Sequence, residues 1–375
     1  MEQDIRTSVV RDAKRIVIKI GSSMITKDSA ALDGEVIASL AAQVASLLSR
    51  RKEVIMISSG AIASGMNILG LTKRPKKISL LQAIAAIGQN KLMRSYEDAF
   101  VKEGLHVAQL LLTREDFSNR KRYLNAHATL LELLRYRTVP IVNENDTVSI
   151  DEIKFGDNDT LSSHVASLIG ADLLIILSDV EGFYYGEKNA ACVLKVIADI
   201  DEKITTKACG TKKESSVGGM VSKLDAARIT MTSGIPMVLA HGRRKNVLCD
   251  ILDGKDIGTL FLPKAKLTAR FRWVAHAGKA KGRIVVDKGA REALTAKRKS
   301  LLSSGIVKVN GDFSKGDIVA IADETGCDFA RGLVNYAAGD LLKVKGLNSQ
   351  RLKELFGEHA KSEVIHRDNI VILAA

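Results

Sequence analysis

The sequence predicts an α/β protein: a mainly parallel sheet covered by helices on both faces, a three-layer α/β/α sandwich, with a small β-rich domain after it. Two observations lead there. Over the first two-thirds, near-continuous apolar runs alternate with longer helix-like segments, the pattern of strands buried on both faces. After about Pro263 the texture changes to short β-like runs punctuated by glycine. The length of 375 residues exceeds what one hydrophobic core usually serves, so two domains are expected.

The expected strands of the first part are Arg15–Ile20, Glu53–Ser58, Val107–Leu112, Val139–Val142, Leu173–Leu177 and Pro236–Ala240. Between them the periodicity predicts helices over Gly34–Arg50, Ile78–Lys102, Lys121–Arg135, Thr160–Ile169 and Met220–Ser233. Ligands in such sheets bind at the carboxyl ends of the strands. In the last third, Arg283–Val286, Gly305–Val309, Asp317–Ala322, Phe329–Val334 and Ile370–Leu373 read as short strands. We expect a first domain over 1–263, a basic linker over 264–279 and a β-rich domain over 280–375.

With 46% hydrophobic and 26% charged residues the chain is of ordinary globular composition. No apolar run approaches the roughly 20 residues of a membrane span, and the N-terminus lacks a secretory h-region. Four scattered cysteines read as reduced, which places the chain in the cytoplasm. The net charge of +13 is concentrated: Lys264 to Lys299 holds twelve Lys and Arg against Asp287 and Glu292, a net of +10. Such a block suits either RNA or a solvated basic face.

Five segments carry candidate chemistry. Ile18-Lys-Ile-Gly-Ser-Ser23 closes a strand with a lysine and a small-residue turn that can cradle phosphate, although a strand-end lysine before a plain turn reads the same way. Ser58-Ser-Gly-Ala-Ile-Ala-Ser-Gly65 permits close backbone approach at a strand-to-helix turn. Asn143-Glu-Asn-Asp146 and Gly156-Asp-Asn-Asp159 enclose six carboxylates against one lysine, oxygen ligands for an ammonium group, a lysine or Mg²⁺; an acidic solvated loop with an Asp helix cap is the bland alternative. Leu177-Ser-Asp-Val-Glu-Gly182 suits a nucleotide pocket. Val217-Gly-Gly-Met-Val-Ser-Lys223 is a glycine loop delivering a second lysine at a helix start. Neither a P-loop nor a dinucleotide fingerprint occurs, and His366-Arg-Asp-Asn369 lacks the downstream residues of a protein-kinase catalytic loop.

In order along the chain, VIKIGSS, SSGAIASG, VNENDTV, FGDND and GGMVSKLDAA resemble the amino acid kinase family, and the carboxylate-rich pair resembles its glutamate-phosphorylating branch. The C-terminal part resembles a PUA domain. The resemblance implies the amino acid kinase fold, ATP with Mg²⁺ held mainly by the nucleotide, and transfer of a phosphoryl group to the γ-carboxylate of L-glutamate, the first step towards proline. It implies Lys19, Lys223 and Asp159 as the catalytic group. Ser59, Asp146, Asn158, Asn143 and Asp157 would bind glutamate. Lys19, Gly21, Ser22, Ser178, Asp179, Val217, Gly218, Gly219, Met220, Val221, Ser222 and Lys223 would meet the nucleotide. No protein metal ligand is assigned. Free proline as a feedback ligand and a homo-oligomer, dimer or tetramer, are further expectations. A kinase acting on another carboxylate or carbamate, and an RNA-binding protein, are the competing readings.

Overall fold

The computed structural model describes residues 2–26, 31–149, 158–185, 192–209, 219–263, 269–276, 280–347, 354–355 and 363–373. The chain divides into two compact units, Met1–Lys266 and Leu267–Ala375.

The first unit is built on an eight-stranded sheet. Its strands are β1 (Arg15–Ile20), β2 (Glu53–Ser58), β3 (Val107–Leu112), β4 (Val139–Glu144), β5 (Leu173–Ser178), β8 (Val196–Ile197), β9 (Met237–His241) and β10 (Thr259–Phe261), in the order β3-β4-β2-β1-β5-β9-β10-β8. A two-stranded ribbon of β6 (Tyr184–Tyr185) and β7 (Cys192–Val193) stands apart from it. The pairings from β3 through to β9 are parallel, and β10 runs antiparallel to β9. The central strands β1, β2, β4 and β5 are almost wholly buried, which is why their sequences read as unbroken apolar runs.

Successive residues of a strand face opposite sides of the sheet, and β1 uses this parity to position the site. Ile16, Ile18 and Ile20 belong to the main core cluster with the helices Gly34–Ser49 and Ile78–Lys102. Lys19 therefore faces the other side, where the helix Asn158–Ile169 packs on β1 and against the helix Met220–Thr232. The register sets Lys19 beside Ile57 and Ile176, and Ile20 beside Ser58 and Leu177, so several strand ends converge at one edge.

On the core side, the helices Ala61–Ile68 and Ile78–Lys102 touch backbone to backbone. A Cβ on Gly88 would lie 1.8 Å from the Ala61 carbonyl oxygen, and one on Gly65 would lie 2.0 Å from that of Ile84. Only glycine permits this approach.

The second unit carries a five-stranded sheet, β13-β11-β14-β15-β17, formed by β11 (Gly282–Val286), β13 (Ile306–Gly311), β14 (Ile318–Ala322), β15 (Asp328–Leu333) and β17 (Ile370–Ile372). A short pair of β12 (Leu301–Leu302) and β16 (Glu363–Ile365) accompanies it. It has its own apolar core, including Ile284, Leu294, Ile321 and Leu341. Part of the stretch expected to link the domains is helical: Ala269–His276 packs against β15 and β17 with Trp273 and Val274 buried. Among the described residues no helix is long and apolar enough to cross a membrane.

Candidate active site

Three side chains from three elements meet at the carboxyl edge of the sheet. Lys19 comes from β1, Asp159 from the first turn of the helix Asn158–Ile169, and Lys223 from the first turn of the helix Met220–Thr232. Lys19 Nζ lies 2.5 Å from Asp159 Oδ1, and Lys223 Nζ lies 3.1 Å from Oδ2. Ser222 Oγ adds a 3.0 Å contact to Oδ2. Both lysines are 7% exposed and Asp159 is 1% exposed. Burial alone would raise the Asp159 pKa, but the charges and hydrogen bonds of both lysines outweigh it and hold the pKa at about 2. The carboxylate is thus ionised throughout the physiological range and keeps two cations side by side, a net charge of +1 in a poorly solvated position.

Beside this group lies a relay of amides. The two N–H groups of Asn158 Nδ2 are shared among three acceptors, the Ser58 carbonyl at 3.0 Å, Ser59 Oγ at 2.9 Å and Asn143 Oδ1 at 3.0 Å. Asn143 Oδ1 also accepts from the Glu144 N–H at 2.9 Å, and Asn143 Nδ2 donates to Gln89 Oε1 at 2.7 Å. Ser59, Asn143 and Asn158, expected together, are brought together. Asp146 sits in the turn after β4 and lines a cleft of about 820 Å³ with Gln89, Asn90, Glu144 and Thr147. Gln89 was not expected. It lies mid-helix in Ile78–Lys102, where one polar residue on an amphipathic helix carries no signal. Ser58 Oγ also pairs with Tyr96 OH at 2.9 Å, and full burial raises the Tyr96 pKa to about 12.

The remaining candidates divide. Gly21 is buried at the end of β1, its N–H bonded to the Leu177 carbonyl, and the exposed Ser22 opens a short helix, Ser22–Ile25, whose Met24 and Ile25 are buried. A Cβ on Gly21 would come within 3.9 Å of Lys19 Nζ, so this turn directly adjoins the lysine. Ser178, at the end of β5, bonds Asp179 Oδ1 at 3.1 Å and has no hydrogen bond to the lysine group; Asp179 is exposed. Gly219 caps the helix whose first residues are Met220, Val221 and Ser222, with Val221 exposed. Asp157, Val217 and Gly218 lie outside the described residues.

The arrangement suits phosphoryl transfer, which needs positioned positive charge more than covalent chemistry. Among the described residues no three His, Cys, Asp or Glu side chains converge on a metal position.

The sequence is similar to known proteins along nearly its whole length. The sequence model of the amino acid kinase family matches residues 14–241, and that of the PUA domain matches residues 282–356. A glutamate 5-kinase of Caldanaerobacter subterraneus subsp. tengcongensis is 46% identical over 363 residues, 96% of this chain and 98% of that protein. The glutamate 5-kinases of Pelobacter propionicus and Geobacter sulfurreducens are 43% and 44% identical over 372 residues, 98% of this chain and the whole of each relative. With a buried lysine–aspartate–lysine group at the strand ends and relatives of this similarity along nearly its full length, the chain belongs to the amino acid kinase family and carries a C-terminal PUA domain.

Proposed function

We propose that this chain transfers the γ-phosphoryl group of ATP to the γ-carboxylate of L-glutamate, forming L-glutamyl 5-phosphate and ADP, the first step of proline biosynthesis. The observation that carries the reading is the pair of buried lysines sharing Asp159. A carboxylate is already ionised at pH 7 and needs no general base. The protein's task is to bring it in line with the phosphoryl group and to neutralise charge on the equatorial oxygens. Lys19 and Lys223 supply that charge and Asp159 fixes where it sits. Gly21, Ser22 and the Gly219–Ser222 turn lie beside the lysines and suit the ATP phosphates, while Ser178 and Asp179 suit the remainder of the nucleotide. Mg²⁺ bound to ATP supplies further charge neutralisation.

Ser59, Asn143, Asn158 and Asp146 form the acceptor side, with the Asp146 carboxylate opposite in charge to the α-ammonium group. Asp157 belongs with them by its place in the sequence. We also expect free proline to compete with glutamate there, the chain to form a homo-oligomer, and the reaction to run in the cytoplasm. The PUA domain has a structural or regulatory role in this reading, with structured RNA as the competing ligand suggested by the basic segment.

The test is ATP consumption measured against glutamate, aspartate, N-acetylglutamate and carbamate, with the acyl phosphate trapped by hydroxylamine. Turnover on glutamate with trapped product is expected; turnover on another acceptor with none on glutamate would reject the assignment.

A further inference from the structure

The amide relay has a defined polarity, and it ends on an atom with an unmet donor. The Ser58 carbonyl can only accept and the Glu144 N–H can only donate, so these backbone groups orient both asparagines. Asn158 must turn Nδ2 towards Ser58, and Asn143 must turn Oδ1 towards the Glu144 N–H and Asn158. That leaves Asn143 Nδ2 to donate to Gln89, which must answer with Oε1. Gln89 Nε2 is consequently aimed away from the relay, buried, with no partner among the described residues. Asn158 Oδ1 is likewise buried without one. A buried donor and a buried acceptor left open cost stability in the free protein, and a ligand that fills both recovers it.

We infer that Gln89 Nε2 donates to the α-carboxylate of the acceptor amino acid, and that Gln89 thereby selects an α-amino acid over a plain carboxylate. This deepens the proposed function and rests on it. The order across the sheet supports the choice of carboxylate. Lys19 is on β1, Ser58 on the neighbouring β2 and Asn143 on the next strand β4, and Gln89, bonded to Asn143 from the helix Ile78–Lys102, lines the cleft together with Asp146. Two strand spacings, about 10 Å in all, separate the lysine end from Asn143. An acceptor whose γ-carboxylate lies at the lysines therefore extends its α-carbon end towards Gln89 and Asp146. Asn158 Oδ1 supplies the acceptor for an N–H of the same ligand.

The test is steady-state kinetics of Gln89→Glu and Gln89→Met with glutamate and with its α-carboxamide. In Gln89→Glu an oxygen still accepts from Asn143, but a carboxylate oxygen replaces the donor. The expected result is a glutamate KM raised tenfold or more, an ATP KM within about twofold of wild type, and a preference shifted towards the α-carboxamide, whose NH₂ can donate to the new carboxylate. Gln89→Met should raise the glutamate KM without that shift. An unchanged glutamate KM in both variants, while Asn158→Ala raises it, would overturn the role of Gln89 and leave the acceptor site in place. If Asn158→Ala is also without effect, both the inference and the acceptor-site reading fail.

Discussion

Replacing Asp159 by Asn keeps the shape and one acceptor but removes the charge on which both lysines depend. Lys19 Nζ and Lys223 Nζ lie 2.5 Å and 3.1 Å from its two oxygens, and each lysine is 7% exposed. The variant would hold two cations near each other with no counter-charge from Asp159. Removing one partner of a buried ion pair costs about 3–5 kcal/mol. At roughly 2–4 °C per kcal/mol for a domain of this size, the melting temperature should fall by about 6–20 °C. The phosphates of ATP can replace the missing anion, so saturating ATP should stabilise Asp159→Asn more than the wild type. With the lysines no longer held at the phosphoryl position, kcat should fall by about 10²–10³. Thermal shift with and without ATP, together with initial rates at saturating substrates, measures all three effects. A variant that melts and turns over like the wild type would refute the claim that Asp159 positions the lysines.

Lys19→Ala and Lys223→Ala should each lower kcat by about 10²–10³ with little change in glutamate KM, because their charge matters most in the transition state; near-normal kcat would remove that lysine from the mechanism. Asp146→Ala and Asn158→Ala should raise the glutamate KM about tenfold to a hundredfold and leave ATP binding nearly intact; unchanged glutamate saturation curves would return this segment to an ordinary acidic surface. In acid, two groups lose stability in sequence. His164 has its pKa lowered from 6.5 to about 4 by burial and by Arg114, so its contribution is full above pH 6.5 and is lost as pH falls through about 4. Asp159, lowered from 3.8 to about 2, loses its contribution only below that window. Urea midpoints measured from pH 7 to pH 4 should fall less steeply in His164→Gln than in wild type, and equal slopes would contradict the His164 assignment.

The strands of the central sheet were legible in the chain itself. Arg15–Ile20, Glu53–Ser58 and Val107–Leu112 are read from the sequence with the bounds they have in the structure: burial imprints an unbroken apolar run on the first two, and the third, a partly buried strand at the sheet edge, is still an apolar run. Long helices with one apolar face, such as Ile78–Lys102, were equally readable. Lys19, Asp159 and Lys223 stood out as polar residues at strand ends and helix starts.

Other features were not legible, and for one reason: they rest on partners distant in the chain. The N-terminal helix Glu2–Arg11 is polar, and Arg6 anchors it by donating to the carbonyls of Lys195, Ile257 and Gly258, each at least 189 residues away. The three residues of β10 are a strand because β9 and β8 flank them, not because of their own pattern. That Lys223 shares the carboxylate of Asp159 joins positions 64 residues apart. That Gln89 accepts through Oε1 and keeps Nε2 without a partner among the described residues follows from two backbone groups, at Ser58 and Glu144, acting through two asparagines. Hydrophobic periodicity is a local property and can be read along the chain. The polarity of a hydrogen bond and the sharing of a charge exist only between residues that folding has brought together, so the tertiary structure alone decided them.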